Sequence, residues 1–356
     1  MPKFHSLKVR EIRKETDDCV SIAFEVPETL KKNYEFLPGQ HLTLKARING
    51  EDVRRSYSIC ASPFENDLRV AIKKLEGGAF STFANERLSV GDTLEVMPPA
   101  GNFHPAPLSP DHQKHYVAFA AGSGITPVIS ILKAVLETEP QSHFTLFYGN
   151  RYSDSIIFKE QLEGLKNKYI GRFSLHHILS QEHPGADLFY GRIDEEKCRI
   201  FCQTLIDWRE VDAFFICGPE AMIYSVKETL LELGVEPNKI HFELFTSPVG
   251  KLGRKNTASA PRSVISRVKT TIDGNTFEFD LTSPEDTILE AAHKTGADLP
   301  FACKGGVCCT CKAKLLEGEV EMEVNYGLEP EEVEQGYILT CQAHPKTERI
   351  VVSFDD

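Results

Sequence analysis

The chain has 356 residues, 41% apolar and 26% charged, with a net charge of -12. That length holds two or three ordinary cores, and the composition is globular, not disordered. The acidic balance argues against a general nucleic-acid or anionic-membrane binder, since both need a basic face. No apolar run approaches the roughly 18 residues that span a bilayer. Met1 to His5 opens no apolar leader core, so a reducing cytosol is the expected compartment. The ten cysteines are then expected as ligands or buried thiols, not as a disulfide framework.

Taken in chain order, the first third reads as short strands: Leu42 to Ala46, Ser56 to Ile59, Leu68 to Ile72 and Thr93 to Val96. Pro38-Gly39, Asn49-Gly50, Gly77-Gly78 and Gly91-Asp92 punctuate them, the pattern of an all-β barrel or sandwich. Within it, Arg55, Tyr57 and Ser58 offer a cation, an aromatic face and a hydroxyl on one strand. Gly77-Gly78-Ala79-Phe80-Ser81 reads as a turn whose amides can cradle phosphate. Singly, each is an ordinary exposed strand or hairpin turn.

A polar break at Leu108 to Gln113 precedes a change of rhythm. Strands at Tyr116 to Ala120, Phe144 to Tyr148, Phe173 to Leu179 and Ala213 to Ile216 alternate with helices. The helices are expected over Pro127 to Glu137, Phe158 to Lys168 and Ala221 to Leu233, which argues a parallel α/β sheet. Gly122-Ser123-Gly124-Ile125-Thr126-Pro127 follows a strand and opens a helix. Thr126 suits an N-cap and Pro127 the first turn, so free amides would face a pyrophosphate. A proline replaces the third glycine of the usual dinucleotide fingerprint. Cys217-Gly218-Pro219 closes a second strand, where open parallel sheets bind ligands; alone, Cys217 is as readily a buried thiol.

Residues 246–265 carry Ser, Thr, Gly and Pro with four bases and no acids, the composition of a linker. From Ser266 onward there are 18 acids and 8 bases, net -10, and five of the ten cysteines. Cys303, Cys308 and Cys311 give C-x4-C-x2-C, and Cys341 is a distant fourth. This is plant-type [2Fe–2S] spacing. Gly305 and Gly306 permit the close backbone that points amides at sulfur. Zinc knuckles use paired C-x2-C, and only one such pair is present. The spacing leaves Cys309 without a ligand role.

Arg55-Ser56-Tyr57-Ser58, Gly78 with Ser81, Gly122 to Pro127 and Cys217-Gly218-Pro219 together resemble the ferredoxin–NADP reductase superfamily. The unit from Cys303 to Cys341 resembles a fused plant-type ferredoxin. Pro38-Gly39-Gln40-His41-Leu42-Thr43-Leu44-Lys45, Tyr148-Gly149-Asn150-Arg151 and Asn325-Tyr326-Gly327-Leu328-Glu329-Pro330 are similar to reductase subunits of bacterial phenylacetyl-CoA epoxidases. The resemblance implies an antiparallel β-barrel FAD domain (1–109), an α/β parallel-sheet NAD(P) domain (110–245), a linker (246–265) and a β-grasp-like α+β [2Fe–2S] domain (266–356).

It also implies roles. Tyr57 would lie against the flavin ring and Arg55 at its pyrophosphate, with Ser58, Gly78, Ser81, Ile72 and Lys73 as further cofactor contacts. Thr126 would approach the flavin from the nucleotide side. Gly122, Gly124, Pro127, Cys217, Gly218 and Pro219 would seat the nicotinamide nucleotide. Glu243 and Phe245 would complete the catalytic set of Tyr57, Ser58, Thr126 and Cys217, with Phe245 over the flavin. Cys303, Cys308, Cys311 and Cys341 would bind the cluster. FAD is the expected flavin, with FMN open.

No carboxylate stands at Asn150 or Arg151 to bind a ribose hydroxyl, and Arg151 suits a 2′-phosphate, so NADPH is expected. Ser180-Gln181-Glu182 lacks the arginine that plant-type reductases carry there. No triad or di-iron motif is present, so the chain reads as an electron supplier, and the resemblance implies a di-iron oxygenase acting on phenylacetyl-CoA as its acceptor. The alternatives are the reductase of a steroid or ring hydroxylase or of a hybrid-cluster protein, and a redox-sensing module without turnover.

Overall fold

The computed structural model describes residues 3–245, 266–283 and 285–355. The expected linker lies outside them. The described residues build three large sheets and one two-stranded one, with one apolar core in the first sheet, one on each face of the second and one in the third.

The first sheet takes β1 (His5–Thr16), β2 (Cys19–Glu25), β3 (His41–Ile48), β4 (Glu51–Ser58), β5 (Leu68–Lys73) and, after helix α1 (Ala79–Glu86), β6 (Thr93–Val96). It is antiparallel in the order β4-β3-β6-β1-β2-β5. A bridge from Ile59 to Val70 joins the two ends and closes a barrel. Leu7, Val9, Ile22, Leu42, Leu44 and Val70 fill it. The segment expected as a turn at Gly77 to Ser81 is instead the start of α1. Gly78 is its N-cap, and Ala79-Phe80-Ser81 already form its first turn.

The second sheet is wholly parallel. It runs through β7 (His115–Ala121), α2 (Ile125–Thr138), β8 (His143–Asn150), α3 (Lys159–Lys168), β9 (Phe173–Leu179), α4 (Glu195–Thr204), β10 (Ala213–Cys217), α5 (Glu220–Glu232) and β11 (Ile240–Glu243). The order β11-β10-β7-β8-β9 reverses direction between β7 and β10. At such a switch point the crevice outside the strand C-termini is left open for a ligand. Helix α2 is buried on every side from Ile125 to Leu136, which explains its largely apolar sequence; its buried Ser130 and Lys133 donate to the Ala61 carbonyl and to Glu65.

The third unit holds β12 (Ser266–Ile272), β13 (Asn275–Leu281), α6 (Ile288–Lys294), β14 (Lys312–Glu317), β15 (Val320–Met322), α7 (Pro330–Glu334), β16 (Tyr337–Leu339), β17 (Ala343–Pro345) and β18 (Arg349–Ser353). Its mixed sheet has the order β13-β12-β18-β14-β16, and β15 pairs β17 apart from it. Thr287 and Glu290 form a capping box that starts α6. The unit sits against both others. Thr43 meets Thr310 at 3.1 Å, Asn102 donates to Glu332 at 2.8 Å, and Val307 packs on the core beneath the parallel sheet.

Candidate functional site

Four strand ends meet at one place. Ser58 closes β4, Gly122 follows β7, Cys217 closes β10 and Glu243 closes β11. Parallel pairing puts Cys217 beside Glu243. The Ser58 hydroxyl donates to Glu243 Oε2 at 3.0 Å, tying the barrel to the parallel sheet. The Glu243 side chain keeps 13% of its surface, and burial pushes its carboxyl up to about 8. Burial also raises the Cys217 thiol, and the Glu243 charge adds to this. His41 Nδ1 lies 4.0 Å from Glu243 Oε1. Burial lowers His41 to about 4, and its Nε2 is buried with no partner among the described residues.

The barrel side of this site carries Tyr57, packed on Phe80 with ring centroids 5.5 Å apart. Arg55 is exposed, donating to the Arg54 carbonyl at 2.7 Å. Ser81 Oγ accepts from the Leu75 amide at 3.1 Å and donates to the Gly78 carbonyl at 3.2 Å, which shapes the start of α1. Ile72 is wholly buried in the barrel core, its carbonyl taken by Asn85, and Lys73 pairs with Asp18 at 3.4 Å.

On the nucleotide side, a short turn at Gly122–Gly124 precedes α2, so the expected N-cap role of Thr126 is corrected. Thr126 lies inside the first turn, 2% exposed, and its hydroxyl donates to the Ser123 carbonyl at 3.0 Å. The turn had to come first because Gly122 to Gly124 wind tightly before the α-helical hydrogen bonds begin. Pro127 falls in the first turn as expected. Gly124 is fixed by contact: a Cβ there would lie 2.0 Å from the Cys217 carbonyl oxygen. Its bare backbone lets the β7 and β10 loops close on one crevice. Gly218 follows, and Pro219 caps α5. Tyr148 donates to the Gly122 carbonyl at 2.9 Å, with the Asn150 side chain buried beside it. Arg151 is exposed beside these groups, and its carbonyl accepts from the Gln181 amide at 2.9 Å. Phe245, 40% exposed, follows Glu243 by two residues.

The thiol loop is brought together as its spacing implied. Cys303 and Cys308 Sγ lie 3.2 Å apart, and Cys341 interacts with both Cys303 and Cys311. Donation from Cys308 and Cys341, with the amides of Gly305 and Cys308, lowers the Cys303 thiol strongly. The Gly305 amide reaches that sulfur at 3.3 Å, and Gln342 Nε2 reaches Cys341 Sγ at 3.6 Å. Gly306 has φ +72, and a Cβ there would lie 2.9 Å from the Val324 side chain. Four buried or half-buried thiols with amides aimed at them fit an iron–sulfur cluster. No hydrogen bond joins Cys309 to the four, and burial raises its thiol to about 11. Sequence reasoning assigns no site role to His41, which stands inside a motif of the resemblance, or to Arg54, whose only signal is its place on the strand that carries Tyr57 and Ser58.

Comparison with known proteins agrees with this geometry. Residues 6–104 match the family described as oxidoreductase FAD-binding domain, 119–228 the oxidoreductase NAD-binding domain, and 270–346 the 2Fe-2S iron-sulfur cluster binding domain. The chain is 48% identical to a 1,2-phenylacetyl-CoA epoxidase component from Escherichia coli (strain K12), over 100% of this chain and 99% of that protein. It is 35% identical to the ferredoxin reductase component of 3-ketosteroid-9-alpha-monooxygenase from Rhodococcus rhodochrous, over 98% of this chain and 96% of that one. In fold it is similar to phthalate dioxygenase reductase, with a TM-score of 0.58 and 23% identity, over 99% and 98% of the two chains. An intact type IV self-sufficient cytochrome P450 monooxygenase gives a TM-score of 0.70 at 21% identity, over 98% of this chain and 41% of that one. Among the described residues no helix is long and apolar enough to cross a membrane. The chain is an NAD(P)H-dependent oxidoreductase that uses FAD and a [2Fe–2S] cluster. It belongs to the ferredoxin–NADP reductase superfamily, in the branch that fuses flavin, nucleotide and plant-type ferredoxin units and includes that 1,2-phenylacetyl-CoA epoxidase component.

Proposed function

We propose that the chain carries electrons from NADPH to a di-iron oxygenase that acts on phenylacetyl-CoA, in the cytoplasm. Identity of 48% along the whole length with an epoxidase component is the observation that carries this reading. The units are assigned as 1–109 for FAD, 110–245 for the nucleotide and 266–356 for the cluster, joined by 246–265.

A bound flavin takes both electrons of a nicotinamide together and releases them singly, which suits a one-electron cluster. The chain's own residues then have these tasks. Tyr57 offers its ring to the flavin, and Arg55, Gly78 and Ser81 hold the phosphates. Cys217, Gly218 and Gly124 seat the nicotinamide, with Thr126 bounding the crevice and Pro127 starting the helix behind it. Phe245, exposed two residues after Glu243, would cover the flavin face that the nicotinamide approaches. Glu243, pushed up to about 8, holds a proton at neutral pH beside the Ser58 hydroxyl, so the pair presents no full negative charge to incoming electrons. Arg151 receives the 2′-phosphate of NADPH. Cys303, Cys308, Cys311 and Cys341 hold the cluster.

The test is reconstitution with purified oxygenase subunits. NADPH oxidation that requires phenylacetyl-CoA supports the reading, and its absence rejects the partner. The 35% likeness to a ketosteroid monooxygenase component supports a second reading, delivery to another oxygenase. Phenylacetyl-CoA-independent coupling to such an enzyme would favour it. Equal or better kcat/KM with NADH would reject the NADPH preference. A flavin- and cluster-loaded protein that fails to reduce ferricyanide would instead indicate a sensing module.

A further inference from the structure

Strands β3 and β4 pair Lys45 with Arg54, Thr43 with Ser56 and His41 with Ser58. Alternation places Arg54, Ser56 and Ser58 on one face of β4. The contacts of that face run in order along the ladder. Ser58 meets Glu243 at the flavin site. Thr43 Oγ1 lies 3.2 Å from Ser56 Oγ and 3.1 Å from Thr310 Oγ1, which stands between Cys309 and Cys311. Arg54 Nη2 donates to Asp298 Oδ1 at 2.7 Å and Nη1 to the Leu299 carbonyl at 3.5 Å. The Arg54 guanidinium also lies over the Phe301 ring, 4.4 Å from its centroid, two residues before Cys303.

Both flanks of the thiol loop are thus fastened to the two strands whose next residues face the flavin-site carboxylate. Arg54 is 6% exposed, while Asp298 is 71% exposed. A buried guanidinium is costly unless paired. Among the described residues its two terminal nitrogens find their side-chain and carbonyl partners in the ferredoxin unit, the Phe4 ring lies 5.3 Å away on the barrel side, and Nε is buried without a hydrogen-bond partner. The charge partner of this buried guanidinium thus comes from the ferredoxin unit and not from the barrel. His41, on the strand paired with β4, is buried with its Nδ1 4.0 Å from Glu243 Oε1.

We propose that Arg54 is a positioning residue for electron transfer to the cluster: it grips residues 298–301 and sets the thiol loop against the strand pair that carries His41 and Ser58. Lysine supplies the charge at that place but not the planar fork that reaches a carboxylate and a carbonyl while stacking on Phe301. The inference concerns transfer inside the chain and does not depend on which oxygenase lies downstream.

The experiment uses the full-length, loaded protein and the variants Arg54→Gln, Arg54→Lys, Asp298→Asn and the Arg54→Gln/Asp298→Asn double. Amide hydrogen exchange is read at 41–58 and 298–310. Cluster reduction after mixing with NADPH is followed by rapid-freeze EPR, with ferricyanide reduction and flavin content as controls. Arg54→Gln and Asp298→Asn should each slow cluster reduction about tenfold and speed exchange at both segments, because losing either charge leaves the docked contact at the buried position 54 without its ion pair and lowers the docked population. Arg54→Lys should recover part of the rate. The double variant should be no slower than the slower single, since the two groups act as one contact. Asp298 is exposed, so Asp298→Asn tests the idea even if an Arg54 variant fails to fold. Three results would each overturn the proposal: wild-type cluster reduction in both singles, slowing that only tracks lost flavin, or unchanged exchange at 298–310.

Discussion

Cys308 and Cys309 are neighbours in sequence and opposite in chemistry. Cys308 touches Cys303 at 3.2 Å, whereas no hydrogen bond links Cys309 to the four-thiol set. Cys308→Ala should abolish the EPR signal of the reduced cluster, and Cys309→Ala should keep it; the reverse pattern would overturn the ligand assignment. Glu243 gives a second test. Its carboxyl sits near 4.5 in the unfolded chain and is pushed up to about 8 by burial in the folded one. Between those values the folded chain holds a proton that the unfolded chain has released. Stability from this group is fully present below pH 4.5 and is lost as pH rises through 8, at about 1.4 kcal/mol per unit. Glu243→Gln should flatten that slope in denaturant titrations at pH 5, 6.5 and 8. An unchanged slope would show that Glu243 is ionised in the fold. The cysteines were legible because metal geometry demands fixed spacing. Arg54 was not, because its hydrogen-bond partners stand more than 240 residues away. At this scale sequence exposes local chemistry and hides long-range pairing.

The same division holds for the elements. Strands β3, β5, β6 and β9 were legible from alternation or apolar runs between turn residues. Strand β1 was not. Its buried residues Leu7 and Val9 alternate, but bulges between Val9 and Glu11 and between Lys14 and Thr16 break the period. Helix α1 was hidden behind Gly77-Gly78, which reads as a turn although its second glycine is a helix cap. Helix α4 buries only Cys198, Phe201 and Cys202, too narrow a stripe to separate from a polar loop. Where the sequence was clear, it was because glycine had a task. Gly124→Ala would drive a methyl group to 2.0 Å from the Cys217 carbonyl, so α2 and the β10 loop must part. The expected cost is about 1–3 kcal/mol. A thermal melt should show it as a lower Tm, and stopped-flow flavin reduction by NADPH should need more nucleotide to saturate. Unchanged saturation would mean that the two loops do not share the nucleotide.

For the whole molecule, charge separates two kinds of docking. The C-terminal unit carries net -10, and Glu317, Glu319, Glu321, Glu323, Glu329, Glu331, Glu332 and Glu334 lie in one stretch. The fold spends several of them internally. Glu317 pairs with Arg349, Glu321 with Lys346, Glu323 with His344 and Glu332 with Lys312. Glu332 also accepts from Asn102 of the barrel, so one end of α7 faces inward. Glu319, Glu331 and Glu334 stay exposed and make no ion pair among the described residues. They remain to steer a basic partner. Charges in open water lose their pull beyond a Debye length of about 8 Å at physiological salt, while buried pairs are screened far less. Raising salt from low to physiological strength should therefore slow electron delivery to a purified oxygenase more than reduction of the cluster inside the chain, where Arg54 is buried although its partner Asp298 is exposed. Reversing Glu331 and Glu334 to Lys should remove most of the salt dependence of delivery at no loss in ferricyanide reduction. Delivery that ignores salt in the unaltered chain would place the partner surface elsewhere. Equal slowing of both steps would mean that the internal contact opens with salt, and that release from β3 and β4 limits the rate at which the cluster reaches its acceptor.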